Sequence, residues 1–537
     1  VSLVQRILYN GTIITQDSRY PVVSALAIAG GRVVAVGTDA EMLDLAGAGT
    51  TLHNLDGQTV IPGLTDAHVH WQLTSESLQQ VDLFEVPDKQ TALDRIAARV
   101  AQTPPGEWIR GWGWTQDVWP DRAFPTAADL DAVAPHNPVY LQAKSVHAGW
   151  ANSAALRAAG ITAATADPFG GEIVRDESGN PTGILLEAPA MSLVRSGIPA
   201  PTPEQLAGWM AQAQERALAR GLTGIHDFDN PSCLQALQVL RERGGLALRV
   251  VKNVNKDFLA AALETGLRWG FGDDWLRIGG LKLFADGALG PRTAYMVDAY
   301  EGEPANFGIV VTEKEEMADF VSRASAAGLP STVHAIGDRA VHDVLDVYAL
   351  VRGQEAARGE PTNTRRHRIE HVQLIHPDDA HRLAQLDIIA SMQPIHATSD
   401  IDMADSYWGA RSRWAYNPRL QLDQGVVVAF GSDSPVDSFD PFVGLHAAVT
   451  RRRADGSPGV DGWYPEARVS IEEALYAYTF GPAYAAGMED RLGRLAPGYL
   501  ADLVVIDRNP LAIKGDDLAG IEVQATMVDG LWRYGEV

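Results

Sequence analysis

The sequence predicts an α/β fold: a (β/α)8 TIM barrel with a small β-sandwich domain formed from both termini and a large insertion after strand 1. Three observations carry this. Short β-rich runs with turn residues occur at both ends of the chain, and apolar β runs alternate with helical stretches through the middle. The gap between the first two of those inner runs is also far too long for a loop. At 537 residues the chain exceeds one ordinary core, so appendages are expected.

Taken in order, ILYNGTIIT, ALAIAGGRVVAVG and TTLHNLDGQTVIPG read as short strands, with Asn10-Gly11 and Gly30-Gly31 as hairpin turns. GRLAPGYLADLVVID and IEVQATMVDGLWRYGEV repeat the texture at the other end, so residues 1–59 and 488–537 are expected to form one composite β-domain. Residues 60–487 form the expected barrel, with strands around 66–71, 221–228, 247–254, 280–287, 330–337, 367–374, 388–394 and 426–433. A subdomain is expected at about 72–215, and segments 395–420 and 448–466, after strands seven and eight, are candidate lids. In such a barrel the active site lies at the C-terminal strand ends. An open doubly wound sheet is the alternative, weakened by the lack of a Gly-x-Gly-x-x-Gly turn opening a helix.

Composition narrows the function classes. The 46% hydrophobic and 21% charged content is that of a globular protein, with no apolar run long enough for a membrane span. A formal charge of -24 disfavours nucleic acid and anionic membrane as partners. The N-terminal stretch alternates like a strand and is read as one, not as a signal peptide. Cys233, the single cysteine, excludes an internal disulfide and a Cys-based zinc cluster, and a reducing, cytoplasmic location is expected. A small-molecule substrate is the expected partner, and a homodimer is compatible with the composition.

Histidine placement carries the chemistry. His68 and His70 end the first barrel strand two residues apart, so period-two geometry points both to one face. His334, His371 and Asp433 end strands five, six and eight, and Lys282 interrupts the apolar run LKLF of strand four. Imidazole and carboxylate suit zinc and similar divalent ions, whose bound water loses a proton near neutrality. A free ammonium cannot ligate, but a Lys282 carbamylated to N6-carboxylysine would offer a carboxylate to two metals. Asp433 could then bind metal and carry the proton to the leaving group.

The order His-x-His, Lys, His, His, Asp, in PGLTDAHVH, KLFADG, VHAIGD, RIEHV and FGSDSPV, resembles the binuclear pattern of the amidohydrolase superfamily. GWGWTQDVWP, VHAGWANSAAL, SMQPIHATSD, GWYPEARVSIEEALYAYT and GRLAPGYLADLVVIDRNP narrow the resemblance to the branch that includes N-substituted formamide deformylase. The resemblance implies a barrel with a composite β-sandwich. It also implies one or two divalent ions, zinc first, held by His68, His70, Lys282, His334, His371 and Asp433, with Asp433 catalytic.

The expected activity is hydrolysis of a non-peptide carbon–nitrogen bond, in an amide or N-formyl amide of a small apolar or aromatic substrate. A lactone or ester hydrolase or a deaminase on the same fold is the alternative, and a catalytically silent binding protein a further one. Candidate substrate contacts are Trp112 and Trp114 as an aromatic wall, Arg292 for a substrate carboxylate or carbonyl, and His147, Glu187 and His396.

Overall fold

A computed structural model describes residues 4–84, 86–144 and 147–537, which fall into two compact units: residues 1–74 with 210–537, and residues 75–209. The first unit is built on one eight-stranded parallel sheet. We number its strands β1 (Leu64–Val69), β2 (Leu222–Asp227), β3 (Arg249–Asn255), β4 (Leu276–Phe284), β5 (Ser331–Ala335), β6 (Arg368–His371), β7 (Ile389–Met392) and β8 (Val428–Phe430). Each pairs in parallel with the next in chain order, and β1 pairs with β2 at the other edge. The ring closes beyond β8, where Val69 bridges Ser434 in parallel, Asp433 N donates to His68 O (2.7 Å) and His70 N donates to Ser434 O (2.9 Å). This is a (β/α)8 barrel, as the alternation of β and helical runs predicts.

Closure demands a close approach. A Cβ on Gly431 would stand 2.5 Å from His68 N and 2.8 Å from Asp66 Oδ1. Asp66 ties the same seam, accepting from His68 N (3.0 Å), Ser432 N (3.0 Å) and Ser432 Oγ (2.5 Å). The helices between strands obey ordinary rules. Lys314–Ala327 ends on a left-handed Gly328 (φ 93°), and Ile471–Ala486 begins with a Ser470/Glu473 capping box.

Two further sheets flank the barrel segment in sequence. One orders Arg32–Gly37, Ala25–Ala29, Arg6–Tyr9 and Thr51–Asn54; the other orders Leu531–Tyr534, Val523–Val528, Leu503–Ile506, Thr59–Pro62, Thr12–Ile14 and Val22–Val23. They share one buried core, with Leu8, Leu26 and Ile28 from the first against Val60, Leu503 and Met527 from the second, which makes a β-sandwich of both chain ends. Gly30-Gly31 (φ 58° and 73°) is a hairpin turn, but Asn10-Gly11 is not: the strands on either side of it lie in different sheets.

The second unit, residues 75–209, carries its own six-stranded mixed sheet and an apolar core containing Trp114, Trp119 and Trp150. The two segments read as lids are packed walls. After β7, Ile401, Trp408 and Tyr416 pack with Trp463 from the segment after β8 in one buried cluster. The buried Arg451 guanidinium donates to Trp463 O (2.8 Å) and to Tyr416 O.

Candidate metal centre

Side chains converge where the strands end. A cavity of about 380 Å³ at the C-terminal mouth of the barrel is lined by His68, His70, Lys282, His334, His371 and Asp433, each from a different strand end or, for the two first histidines, from β1 and the residue after it. A second cavity, of about 30 Å³, lies among Thr65, Thr223, Arg249 and Asp502 and has room for little beyond a water. His371 (φ 76°) and Asp433 (φ 59°) adopt left-handed backbone, costly for residues with a Cβ and typical of side chains re-aimed at a site.

The imidazoles are gripped from behind. His68 Nδ1 meets Glu370 Oε2 at 2.6 Å, His70 Nδ1 meets Asp229 Oδ1 at 2.9 Å, and His371 Nδ1 meets Gln393 Oε1 at 2.8 Å. Each grip fixes the tautomer and turns Nε2 toward the cavity. Asp433 Oδ1 lies 3.4 Å from both His68 Nε2 and His70 Nε2, and its Oδ2 lies 3.4 Å from His396 Nε2. Two groups of ligating atoms result, each within 4.8 Å of one another and both including Asp433: one with His68 and His70, the other with His371 and His396. His334 stands beside the second group, its ring 4.5 Å from that of His371 and its Nε2 donating to Gly287 O (2.8 Å).

Burial sets the charge states. Burial and the Lys282 charge hold His68 down to about 4 and His334 to about 3, and burial holds His371 well below the usual range. These three are neutral imidazoles, the ligating form. Burial also lowers His70, but its bonds to Asp229 and Asp433 win and raise it to about 9. Burial pushes the Asp433 carboxyl up, yet the bonds from His396 and His70 hold it well below the ordinary range.

Lys282 is only 1% exposed, its Nζ is 4.6 Å from the ring centroids of both Phe228 and Phe284, and burial lowers it to about 8. Among the described residues Lys282 Nζ is buried without a hydrogen-bond partner, and His68 Nε2 and Asp433 Oδ1 are satisfied only by long 3.4 Å contacts, with each other and, for Asp433, with His70 Nε2. A buried polar atom left without a partner costs about 1–3 kcal/mol. Three poorly satisfied atoms at one cavity, beside neutral imidazoles, fit a site for divalent cations, and the donor set of nitrogen and carboxylate oxygen suits zinc.

Sequence reasoning missed the layer beneath. Arg368, two residues before Glu370 in β6, donates to Glu370 Oε1 (2.5 Å) and Oε2 (2.9 Å), to Ala67 O (2.6 Å) and to Ser391 Oγ (2.8 Å). Burial alone would raise Glu370, but Arg368 and His68 keep it well below the usual carboxylate range. On the other side, Lys252 Nζ bonds Asp229 O (2.5 Å) and Asn253 O (2.8 Å) and pairs with Asp227 Oδ2 at 3.0 Å. Asp229 Oδ2 in turn accepts from Gln72 N (2.6 Å) and Leu73 N (3.1 Å). The available signal was an Arg and a Glu at alternate positions of β6, which period two places on one face.

The expected substrate contacts divide. His396 lines the cavity, with Nδ1 2.6 Å from Asp437 Oδ2. Trp114 does not serve as a wall: it is 0% exposed in the core of the second unit, its Nε1 donating to Leu141 O (3.0 Å). Arg292 is not a cavity residue; it pairs with Glu303 and lies 5.3 Å over the Tyr407 ring. In the second unit, Trp112 is 46% exposed with its edge on Phe84, and His147 Nδ1 pairs with Glu187 Oε2 at 2.9 Å on the surface.

The sequence profile of the amidohydrolase family matches residues 51–534. The chain is 35% identical to Protein LONG AFTER FAR-RED 3 of Arabidopsis thaliana, over 98% of this chain and 91% of that protein. It is 32% identical to the N-substituted formamide deformylase of Arthrobacter pascens, over 98% of each. A solved structure of an uncharacterized metal-dependent hydrolase from Pyrococcus furiosus superposes with a TM-score of 0.77 at 32% identity, covering 94% of this chain and 99% of that one.

Proposed function

The chain belongs to the amidohydrolase family, and on that premise we propose that it hydrolyses a non-peptide carbon–nitrogen bond, in an amide or N-formyl amide of a small apolar or aromatic substrate. The observation that carries the reading is the convergence at one cavity of buried, poorly satisfied polar atoms on His68, Lys282 and Asp433. The deformylase relative, similar over nearly its whole length, supports the bond type.

In this reading His68, His70 and Asp433 hold one divalent ion, and His334, His371 and Lys282 complete the site for a second, with Lys282 as N6-carboxylysine. When bound, the ions polarise the substrate carbonyl and make water more acidic, and zinc is the favoured identity. The protein's own groups do the rest. Glu370 and Gln393 keep the Nδ1 protons of His68 and His371 in place, so that Nε2 of each stays a lone-pair donor. Asp433 takes a proton from water at its carboxylate and returns it to the departing nitrogen. Water oxygen bonds to the carbonyl carbon, the C–N bond breaks, and the products are a carboxylic acid (formate from a formamide) and an amine.

Metal analysis of protein purified without chelator, followed by a panel of formamides, acyl amides, lactones and esters, tests the proposal. Stoichiometric metal and turnover of aromatic formamides or amides are expected. Absence of metal would remove the whole reading, whereas turnover confined to lactones or esters would overturn the bond assignment alone.

A further inference from the structure

The proposed chemistry leaves part of the cavity unused. Beyond the six strand-end residues, it is lined by apolar Phe284, Leu289, Ile336, Met403 and Val436 and by two further carboxylates, Asp400 and Asp437. Among the described residues Lys282 is the only lysine or arginine lining it, and it is buried among the candidate ligands. The other potential cation, His396, is already held between Asp437 (2.6 Å) and Asp433 (3.4 Å). Asp437 thus has a counter-charge. Asp400 does not: its Oδ2 accepts from two neutral groups, Tyr416 Oη (2.5 Å) and Gln373 Nε2 (3.4 Å), and among the described residues no basic side chain pairs with it. Arg292, the residue expected to receive a substrate carboxylate, is engaged by Glu303 away from the cavity lining.

Away from the proposed metal ligands, an apolar lining with one carboxylate that no basic side chain contacts, and on which the His396 charge acts only through space, discriminates by charge. An anionic substituent entering it loses hydration without gaining a partner and meets a like charge in a partly desolvated space. A neutral ring gains the apolar wall, and a cationic one gains Asp400 as well. We infer that Asp400 makes this site reject carboxylate-bearing substrates and accept neutral or cationic aromatic ones, so that the amide cleaved derives from an amine and not from an amino acid. This inference rests on the reading of the chain as an amide hydrolase.

The test compares formanilides that carry, at the para position, a carboxylate, its methyl ester or an aminomethyl group, using the metal-loaded enzyme at a pH where the carboxylate is ionised. The ester is the matched neutral control, because its electronic effect on the departing aniline resembles that of the acid. A kcat/KM at least tenfold lower for the carboxylate than for the ester is expected. That gap should narrow severalfold in Asp400→Asn, whose amide oxygen still accepts from Tyr416 and which should keep the wild-type melting midpoint and metal content. Equal rates for acid and ester, or an unchanged gap in a folded, metal-loaded Asp400→Asn, would overturn the inference. If no formanilide reacts, the amide reading falls. The charge rule is then decided by calorimetry with benzyltrimethylammonium and benzenesulfonate, neither a good metal ligand: the cation should bind at least tenfold more tightly, and equal or inverted affinities would refute the rule.

Discussion

Replacing Lys282 with methionine should stabilise the metal-free protein while destroying its function. Burial lowers the Lys282 ammonium from the ordinary lysine value of 10.5 to about 8, a difference of about 2.5. At about 1.36 kcal/mol per pKa unit, the charged lysine costs the folded state about 3 kcal/mol. The sign follows from proton counting. Below pH 8 the lysine is charged in both folded and unfolded chains, so the cost is borne in full. Between about pH 8 and 10.5 the unfolded chain holds the proton and the folded chain does not, so stability rises with pH; above that window the cost is gone. Methionine fits between Phe228 and Phe284 without a charge. The assay is a calorimetric melt of chelated wild type and Lys282→Met in buffer free of carbon dioxide, at pH 7 and near pH 10.5. A midpoint raised by several degrees at pH 7, shrinking toward zero at the higher pH, is expected. A variant that melts below wild type at pH 7, or a gain that does not depend on pH, would refute the reasoning. The metal-loaded variant should lose its second ion and its activity, an exchange of stability for function common at active sites.

Glu370→Gln should weaken metal binding about ten- to a hundredfold in a chelator-competition titration, because His68 Nδ1 loses its charged partner. It should also destabilise the barrel by about 3–5 kcal/mol, since Arg368 is left buried without its counter-ion. Asp433→Asn, at full metal occupancy, should lower kcat at least about a hundredfold with little change in the melt, the scale of a lost general base; unaltered turnover would remove Asp433 from the proton transfer. Gly431→Ala should cost about 1–3 kcal/mol by overpacking the β1–β8 seam, read as a lowered melting midpoint.

The barrel was legible because its signals are periodic. Apolar runs and helical stretches alternate, and the strands predicted around 221–228 and 330–337, observed as Leu222–Asp227 and Ser331–Ala335, needed only local pattern. His68 and His70 share a face for the same reason. Lys282 stood out by contradiction, a charge in an apolar strand, whereas Arg368 and Glu370 lie in a strand of mostly polar residues and their role appears only in three dimensions, where they sit behind His68. Trp112 and Trp114 show the limit of composition: neighbours in one motif, one is half exposed and the other fully buried. The left-handed turns at His371 and Asp433 have no sequence signature, since neither residue is a glycine. Asn10-Gly11 misled because the dipeptide specifies a local reversal but not which sheet receives the next strand.

The seam between β1 and Ser434 also orders events in time. His68 and Asp433 are held in place by each other's backbone, Asp433 N on His68 O, although the ribosome makes one long before the other. A nascent chain that has just delivered β1 and the whole of residues 75–209 owns two of the four strand-end histidines but no closed mouth. Only when the segment through Ser434 has left the exit tunnel, with Leu503–Ile506 following to pair with Thr59–Pro62, can the ring shut and all six strand-end residues meet. The candidate metal centre is therefore among the last features of the molecule to be completed.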